Sequence, residues 1–456
     1  MIRMLRKQWE YWSRADVKAV GPLSVSQIRP FMKVALVNPG KDISYATTPP
    51  VNLGILASYL EANNIHVKII DELSGDIVGK ELLDFQPEIV GLTGTTPLIN
   101  DTYRKSEMAR TLGFKTVIGG VHASVLPEEA LQHCDTVVIG EGEKSLLSLC
   151  SDFKKGIVRE TEYISDLDSL PPPAWHLMNM KYYTTFRQRV ELSFLSFAPK
   201  HTLVGVLLTS RGCPWNCIFC HNSFKTKPFR FNSPHRVVEE MKMLQKTYDI
   251  GSIFFIEDNF FCMRERVREI CRLIRQEKIE VVWGANARVD NIDKEILEIA
   301  KAAGCKQITF GWESGSQKIL DVLEKRTTVQ QNIDSVKMCN EVGLIANGTV
   351  MIGNPYETEA DIELTQKFIL ENDIDGGVGV CITTPYPGTK LWDWCVQNNR
   401  IPEAFSWSDF NYHKVPIKIV EMSIEKFEAL VNETVRMAID KYYTRKFRAI
   451  SKQPNL

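Results

Sequence analysis

Short apolar runs alternate with amphipathic segments between residues 32 and 153. The runs are rich in β-branched residues, and a stretch of helical periodicity follows each one. They cover residues 33–38, 66–71, 88–93, 115–119 and 136–140. Five such units predict an α/β fold with a doubly wound parallel sheet of the Rossmann-like, flavodoxin-like type. Its ligand would lie beyond the carboxyl ends of the strands, where the strand order reverses.

The same alternation returns after residue 200 and predicts a second domain. Its apolar runs cover residues 203–209, 252–256, 281–284, 307–310, 345–351 and 377–383, and a helical pattern follows each. Six units predict an open, partial (β/α)6 barrel of the TIM type, with its chemistry on the loops after the strands. Between 154 and 200 the periodicity weakens and Pro171-Pro172-Pro173 interrupts any helix, which predicts a linker.

These patterns set the expected domain boundaries. We expect an N-terminal extension over 1–31, the first domain over 32–153, the linker over 154–200, the barrel over 201–395 and a helical C-terminal cap over 396–456. The cap holds a helical run at 424–443 and the aromatic residues Trp407, Phe410 and Tyr412. We interpret the aromatic residues as core, with a pocket for a large apolar substrate such as a lipid or tetrapyrrole as the alternative.

Composition excludes several classes of protein. The chain has 456 residues, 44% of them hydrophobic, and a formal net charge of -1, so it shows no basic footprint for nucleic acid. No apolar run approaches the length of a transmembrane helix, and the N-terminus lacks the pattern of a signal peptide. Most of the eleven cysteines are scattered, as is typical of reduced thiols, and we therefore expect a cytoplasmic protein.

Three cysteines stand apart from the rest because of their spacing. Cys213, Cys217 and Cys220 are separated by gaps of three and two residues, and no second pair follows as it would in a structural zinc site. A [4Fe–4S] cluster normally takes four cysteines, so three would leave one iron open to a small chelating ligand. The trio therefore predicts such a cluster, bound in the loop after the first barrel strand.

This spacing, together with Phe219 before the third cysteine, resembles the signature of the radical S-adenosylmethionine (SAM) superfamily. The resemblance implies that SAM binds the open iron, and that later strand ends surround it. Glu257 or Asp258 would accept a hydrogen bond from the methionine amino group, although Asp258 is equally suited to cap a helix. Arg288 would pair with the SAM carboxylate, with a solvated surface arginine as the alternative.

Two further barrel segments resemble the same superfamily. Phe310-Gly311-Trp312-Glu313-Ser314 resembles the segment that contacts the SAM ribose and carboxylate, with Glu313 placed to hold ribose hydroxyls. Ser314 is also suited to cap the next helix. Gly353, in the run Gly348-Thr349-Val350-Met351-Ile352-Gly353, matches a strand end whose glycines allow close approach to adenine.

The first domain resembles the cobalamin-binding domain that precedes the barrel in many radical SAM enzymes. The resemblance rests on Thr48-Pro49-Pro50, Gly119-Gly120-Val121-His122 and Gly140-Glu141-Gly142-Glu143. It implies a cobalamin site at the strand ends, formed by Thr95, Gly119, Gly120, Gly140 and Glu141. The Asp-x-His-x-x-Gly motif of cobalamin mutases is absent, so His122 receives no role on cobalt, and we expect it at the surface or in a cap. No phosphate-binding fingerprint appears.

Together these features resemble the class B radical SAM methyltransferases that bind cobalamin (B12). The resemblance implies reductive cleavage of SAM at the cluster to a 5′-deoxyadenosyl radical, followed by C-methylation of an unactivated carbon through methylcobalamin. It also implies a small-molecule or lipid-like substrate and an external electron donor such as flavodoxin or ferredoxin.

Three other readings remain at this point. The same architecture could catalyse cyclisation, ring contraction or oxidation without methyl transfer. An RNA methylthiotransferase is disfavoured, because its N-terminal domain would carry three cluster cysteines and this one has Cys134 and Cys150 alone. A non-enzymatic cobalamin or Fe–S sensor or electron carrier would leave the SAM-contact motifs without purpose.

Overall fold

The first domain is built around a six-stranded parallel sheet. The computed structural model describes residues 32–40, 48–159, 162–185, 195–221, 228–415 and 417–451, so the predicted extension over 1–31 lies outside the described residues. The strands are β1 (Lys33–Asn38), β2 (His66–Asp71), β3 (Ile89–Thr93), β4 (Lys115–Gly119), β5 (Thr136–Ile139) and β6 (Gly156–Arg159). Their order is β2-β1-β3-β4-β5-β6, which places the reversal between β1 and β3.

Helices cover both faces of this sheet, as period-two burial along the strands requires. Along β1, Val34 and Leu36 join one buried cluster while Ala35 and Val37 join another on the opposite face. The helices are α1 (Val51–Ala62), α2 (Val78–Phe85), α3 (Ile99–Thr111), α4 (Val121–Val125), α5 (Pro127–Leu131) and α6 (Gly142–Ser151). The prediction of a doubly wound α/β domain is confirmed, and β6 extends the sheet into the segment predicted as linker.

The second domain is an open half-barrel of six parallel strands. They are β7 (Leu203–Leu207), β10 (Ile250–Phe255), β11 (Val282–Ala287), β12 (Cys305–Glu313), β13 (Ile345–Ile352) and β14 (Val378–Ile382), adjacent in chain order. Between β7 and β10, the short strands β8 (Ser210–Arg211) and β9 (Arg230–Phe231) form an antiparallel pair. The prediction of a partial (β/α)6 barrel is confirmed.

Several helices that pack outside the half-barrel begin at residues whose side chains cap the first turn. Ser233 caps a helix with Pro234 at its first position, and Thr328 and Gln331 form a capping box. After the short α7 (Met180–Thr184), these helices are α8 (Pro234–Tyr248), α9 (Arg264–Gln276), α10 (Lys294–Ala302), α11 (Gln317–Val322), α12 (Val329–Val342), α13 (Glu359–Glu371), α14 (Lys390–Gln397) and α15 (Ile424–Ser451). No described helix is long and apolar enough to cross a membrane.

The C-terminal region closes the molecule by touching both domains. Phe410 is fully buried in a cluster with Trp392 and Trp407, so the interpretation as core is right for Phe410 and Trp407. It is wrong for Tyr412, which is 43% exposed. Trp407 also reaches the first domain, where its Nε1 donates to Glu129 Oε1 at 2.9 Å. The helix α15 packs against β14 and α13 and covers the edge of the half-barrel.

Candidate functional site

The two sheets direct their strand ends at one shared cavity of about 780 Å³. On the first-domain side the lining comes from the faces and carboxyl ends of β1, β3, β4 and β5. On the barrel side it comes from the cysteine loop and the segments that follow β10, β11 and β12. Both folds place ligands at strand carboxyl ends, so the cavity lies where each fold predicts its own site.

The first-domain wall is an apolar slot between the sheet and two helices. Leu36, Gly91, Val117 and Val138 supply its floor from four neighbouring strands. Leu53 and Leu56 of α1 and Leu146 of α6 lie on its other side. Such a slot accepts a flat, largely apolar group and offers it few hydrogen bonds.

Glycine keeps the mouth of this slot open. Gly120 has φ of +95°, and a Cβ there would lie 2.5 Å from Thr93 Oγ1. A side chain at this position would therefore clash as well as adopt a strained backbone. Gly119, Gly140 and Glu141, three of the predicted cobalamin contacts, also line the cavity.

The predicted cluster cysteines line the opposite wall together. A hydrogen bond from Cys220 lowers the pKa of Cys217 below its usual value, and the charges of Lys325 and Arg288 add to that effect. Burial instead raises the pKa of Cys213. Among the described residues no three potential ligands converge on one ion. Each thiolate of a cluster binds a different iron, so a cluster does not require the three thiols to meet at one ion.

Two cations lie beside the thiolates. Arg288 donates from Nη1 to Cys217 Sγ at 3.7 Å, stacks at 4.0 Å over the ring of Trp215, and holds Asp290 with two contacts of 3.0 Å. Its Nη2 also reaches the carbonyl of Lys325 at 2.7 Å. Much of its guanidinium is therefore committed within the protein, so the alternative of a solvated surface arginine is wrong.

Lys325 and Glu313 form a buried ion pair at the cavity wall. Lys325 Nζ lies 2.7 Å from Glu313 Oε1, and both side chains are more than 90% buried. Glu313 has φ of +61°, a conformation that costs energy for a residue other than glycine and that is common at functional sites. A Cβ at Gly311 would lie 2.3 Å from Glu313 Oε1, so Gly311 makes room for the pair.

The two acidic residues after β10 differ in burial and in their contacts within the protein. Glu257 is 1% exposed and accepts from Thr209 Oγ1 at 2.9 Å, with Arg266 Nη1 at 3.7 Å. Asp258 keeps accessible surface that faces the cavity, and the loss of bulk water there raises the pKa of its carboxyl. Of the two, Asp258 is the one whose carboxylate is exposed at the cavity.

Three predicted site residues lie away from the cavity lining. Thr95 is exposed at the start of a short 3-10 turn. Ser314 is fully buried, with its Oγ 3.1 Å from Thr365 Oγ1. At Gly353, a Cβ would lie 2.8 Å from Phe427 of α15. Their roles in cofactor binding stay predictions.

His122 is buried, and the expectation of a surface or capping histidine is wrong. Its Nδ1 lies 3.1 Å from Thr96 Oγ1, and its ring meets that of Trp407 edge-on at 5.0 Å. It does not line the cavity.

Sequence reasoning missed several residues that line the cavity. Lys325 lies in a turn between two non-glycine residues with positive φ, Glu324 and Arg326, and no motif marked it. Thr93, two residues before the predicted Thr95, carries the hydroxyl that faces Gly120. Its position as the last residue of β3 is a signal that could have identified it.

Comparisons with known proteins match the two domains separately. A model of the B12 binding domain matches residues 43–149, and a model of the Radical SAM superfamily matches residues 207–369.

Relatives and a solved structure match most of the chain. An uncharacterised methyltransferase of Pyrococcus horikoshii is 33% identical, over 91% of this chain and 93% of its own. The anaerobic magnesium-protoporphyrin IX monomethyl ester cyclase of Rubrivivax gelatinosus is 26% identical, over 84% of this chain and 72% of its own. The cobalamin-dependent SAM radical enzyme OxsB, solved with aqua-cobalamin and SAM bound, has the same fold, with a TM-score of 0.71 at 18% identity, over 93% of this chain and 69% of that one.

Proposed function

Because this chain belongs to the radical SAM enzymes that carry a B12-binding domain, we propose that it methylates an unactivated carbon atom of its substrate. Its cofactors are a [4Fe–4S] cluster, SAM and cobalamin. The observation that supports the proposal is the single cavity, in which the three cysteines face the open slot of the first domain. Methyl transfer between a cobalamin and a substrate activated at the cluster needs both within one enclosed space.

The barrel wall fits a cluster. Cys213, Cys217 and Cys220 offer three thiolates at the cavity, and Arg288 and Lys325 supply positive charge beside them. Buried thiolates are stable only when their charge is compensated, and the two cations provide that compensation.

The first-domain wall fits cobalamin. The slot between Leu36, Val117 and Leu56 suits an apolar, aromatic portion of the cofactor, and the glycine edge at Gly119 and Gly120 lets a large ring approach the backbone. His122 does not line this space and contacts Thr96 instead, so it is not proposed as a cobalt ligand.

When bound, these cofactors supply an electron, a reactive adenosyl group and a methyl group, and the chain supplies binding and orientation. We propose that Asp258 accepts a hydrogen bond from the SAM amino group and that Glu313 holds the ribose. Arg288 and Lys325 would compensate the SAM carboxylate. Enclosure by both domains excludes water, which protects radicals from side reactions.

The substrate class and partners follow from the same proposal. The apolar lining of one side of the cavity favours a small molecule or one end of a lipid-like or tetrapyrrole molecule as substrate. We also propose a cytoplasmic location and reduction by flavodoxin or ferredoxin, since the cluster needs an external electron.

Cyclisation without methyl transfer is a second candidate. It is favoured by the relative from Rubrivivax gelatinosus, which covers most of the chain and is a cyclase. The two reactions would use the same cavity and differ in whether a methyl group leaves SAM.

One experiment separates the two candidates. The full chain, reconstituted without oxygen with iron, sulfide and hydroxocobalamin, is given a strong reductant and SAM with a deuterated methyl group. Candidate tetrapyrroles and lipids are then added in turn. Methylation predicts comparable amounts of 5′-deoxyadenosine, S-adenosylhomocysteine and deuterated product. Cyclisation predicts 5′-deoxyadenosine and an unlabelled product; this outcome would overturn the methylation proposal.

A further inference from the structure

Four buried charged residues join the two domains beside the cavity. We call Glu141, Glu143, Arg211 and Arg230 the interdomain clamp. Arg211 Nη2 lies 2.5 Å from Glu143 Oε1, and Arg211 Nη1 lies 3.3 Å from Glu141 Oε2. Arg230 holds both oxygens of Glu141, at 2.5 and 3.2 Å. The clamp therefore contains two positive and two negative charges.

Local structure brings each pair of like charges to one place. Glu141 and Glu143 flank the first residue of α6, where the helix dipole favours negative charge. Arg211 and Arg230 are direct partners across β8 and β9. Each pair would repel itself without the other, so the clamp forms only when the two domains dock.

The linker is tied into the same network. Ile164 N donates to Glu141 Oε2 at 3.2 Å, and Arg230 Nη1 donates to the Ile164 carbonyl. Residues from the first domain, the linker and the barrel thus meet at Glu141.

Burial makes the clamp sensitive to the loss of one member. The four side chains are between 4% and 18% exposed. Burial alone would raise the pKa of Glu141, but Arg230 and Arg211 lower it below its usual value. Truncating one partner of a buried pair leaves the other charge uncompensated.

The position of the clamp gives it a role beyond general stability. Arg211 lies two residues before Cys213, and Glu141 directly follows Gly140 at the edge of the cobalamin slot. Bidentate guanidinium–carboxylate contacts restrict both distance and angle. A displacement here would move the cysteine loop relative to the slot.

We propose that Glu141 and Glu143 are positioning residues that fix the cysteine loop at a set distance and orientation from the cobalamin-binding edge. Their carboxylates are held by Arg211 and Arg230, and through these arginines they act on the cysteine loop. The inference depends on the two cofactors and not on methyl transfer, so it can fail while the proposed function holds.

The test measures the magnetic interaction between the iron–sulfur cluster and the cobalt of cobalamin. The full chain is reconstituted with the cluster and hydroxocobalamin, then poised so that cob(II)alamin and the reduced cluster coexist. Electron paramagnetic resonance reports their magnetic interaction, which depends steeply on distance. No substrate is needed.

Glu143→Gln is the first variant, because Glu141 remains to hold both arginines and supports folding. We expect full iron and cobalamin content but loss of the single, narrow interaction of the unaltered protein. Glu162→Gln is the matched control. It removes a pair between Lys144 of α6 and the linker, at 2.9 Å, that is solvent-exposed.

Glu143→Asp keeps the charge and shortens the side chain, so a positioning role predicts a shifted interaction. If Glu143 only compensates charge, the spectrum of Glu143→Asp should equal that of the unaltered protein. That result would overturn the proposal. An unaltered spectrum in Glu143→Gln, or an equal change in Glu162→Gln, would do the same. If Glu143→Gln fails to retain cobalamin, Glu143→Asp decides alone.

Discussion

The two walls of the cavity hold their ligands by different means. The first-domain wall is made mostly of apolar side chains and glycines, with the Thr93 hydroxyl and the Asn52 amide as uncharged polar members. Its charged members, Glu141 and Glu143, are both paired with arginines of the barrel. The barrel wall carries three thiols and a series of charged side chains, several of them in ion pairs.

This difference shows how one cavity accommodates two cofactors. A bulky, preformed cofactor needs space and shape, which glycines and aliphatic residues supply. A charged cluster and a zwitterionic ligand need compensating charge away from water, which fixed ion pairs supply. Substitutions should therefore affect the cofactors separately, according to the wall on which they lie.

Replacing the three thiols should give the largest difference between the effects on the cluster and on cobalamin. Replacing Cys213, Cys217 and Cys220 together by Ala should abolish cluster iron and 5′-deoxyadenosine formation, because no thiolate would remain to bind iron. Cobalamin retained after gel filtration should be unchanged. Cys150→Ala, in a helix of the first domain, is the control. SAM cleavage that survived the triple replacement would contradict the assignment of the barrel wall.

Breaking the buried ion pair on the barrel wall should come next. Lys325→Met leaves Glu313 charged and unpaired, at a cost of about 3–5 kcal/mol in the free energy of unfolding. Differential scanning calorimetry should show a lower Tm, and SAM should bind more weakly in equilibrium dialysis of the reconstituted protein. Lys325→Met with Glu313→Gln should recover much of the Tm but not SAM binding. Full recovery of both would show that the pair is structural only.

On the first-domain wall, a single added methyl group should be enough to weaken cobalamin binding. Gly120→Ala combines a positive φ with a contact 2.5 Å from Thr93 Oγ1, and we expect cobalamin affinity to fall ~10-fold or more. Cluster iron should be unaffected. Gly113→Ala is the matched control, since φ is +90° there and nothing lies within 4 Å of the added Cβ. Equal losses in both variants would mean that strain, and not the clash, is responsible.

The smallest expected effect is a dependence of stability on pH, caused by Glu357 of the barrel domain. Burial raises the pKa of Glu357 to about 7, although its contacts to the Gly353 and Asn354 backbone oppose this. The native state then holds a proton that the unfolded state releases between about pH 4.5 and 7, so stability should fall as pH rises through this window. Glu357→Gln should flatten this fall in Tm. An unchanged slope would place the proton elsewhere.

The elements of both domains could be predicted because each strand carries its own signal. Predicted and observed strands agree to within one or two residues at most ends, as at 33–38 and 115–119, and the observed β12 is longer than predicted. The segment 156–159 was missed as a strand. It is short and only partly buried, so its apolar pattern is weak.

The site was predictable only where chemistry is local in sequence. The three cysteines lie within eight residues and line the cavity together. The ion pairs of Glu141 were not predictable, because its partners Arg211 and Arg230 are far along the chain and meet it only after docking. Lys325 was missed because its closeness to Cys217 depends on the turn in which Glu324 and Arg326 have positive φ, and no sequence motif marks that turn.

The contact between Trp407 and Glu129 bears on how the chain folds. The two residues are 278 positions apart, so the hydrogen bond closes a loop that contains the whole barrel. Contacts of such long range form late, since the entropy of loop closure must be met first. The first domain can complete its sheet during synthesis, as N-terminal domains do. Docking of the C-terminal region would then be the last step, made only after the half-barrel has been translated and assembled.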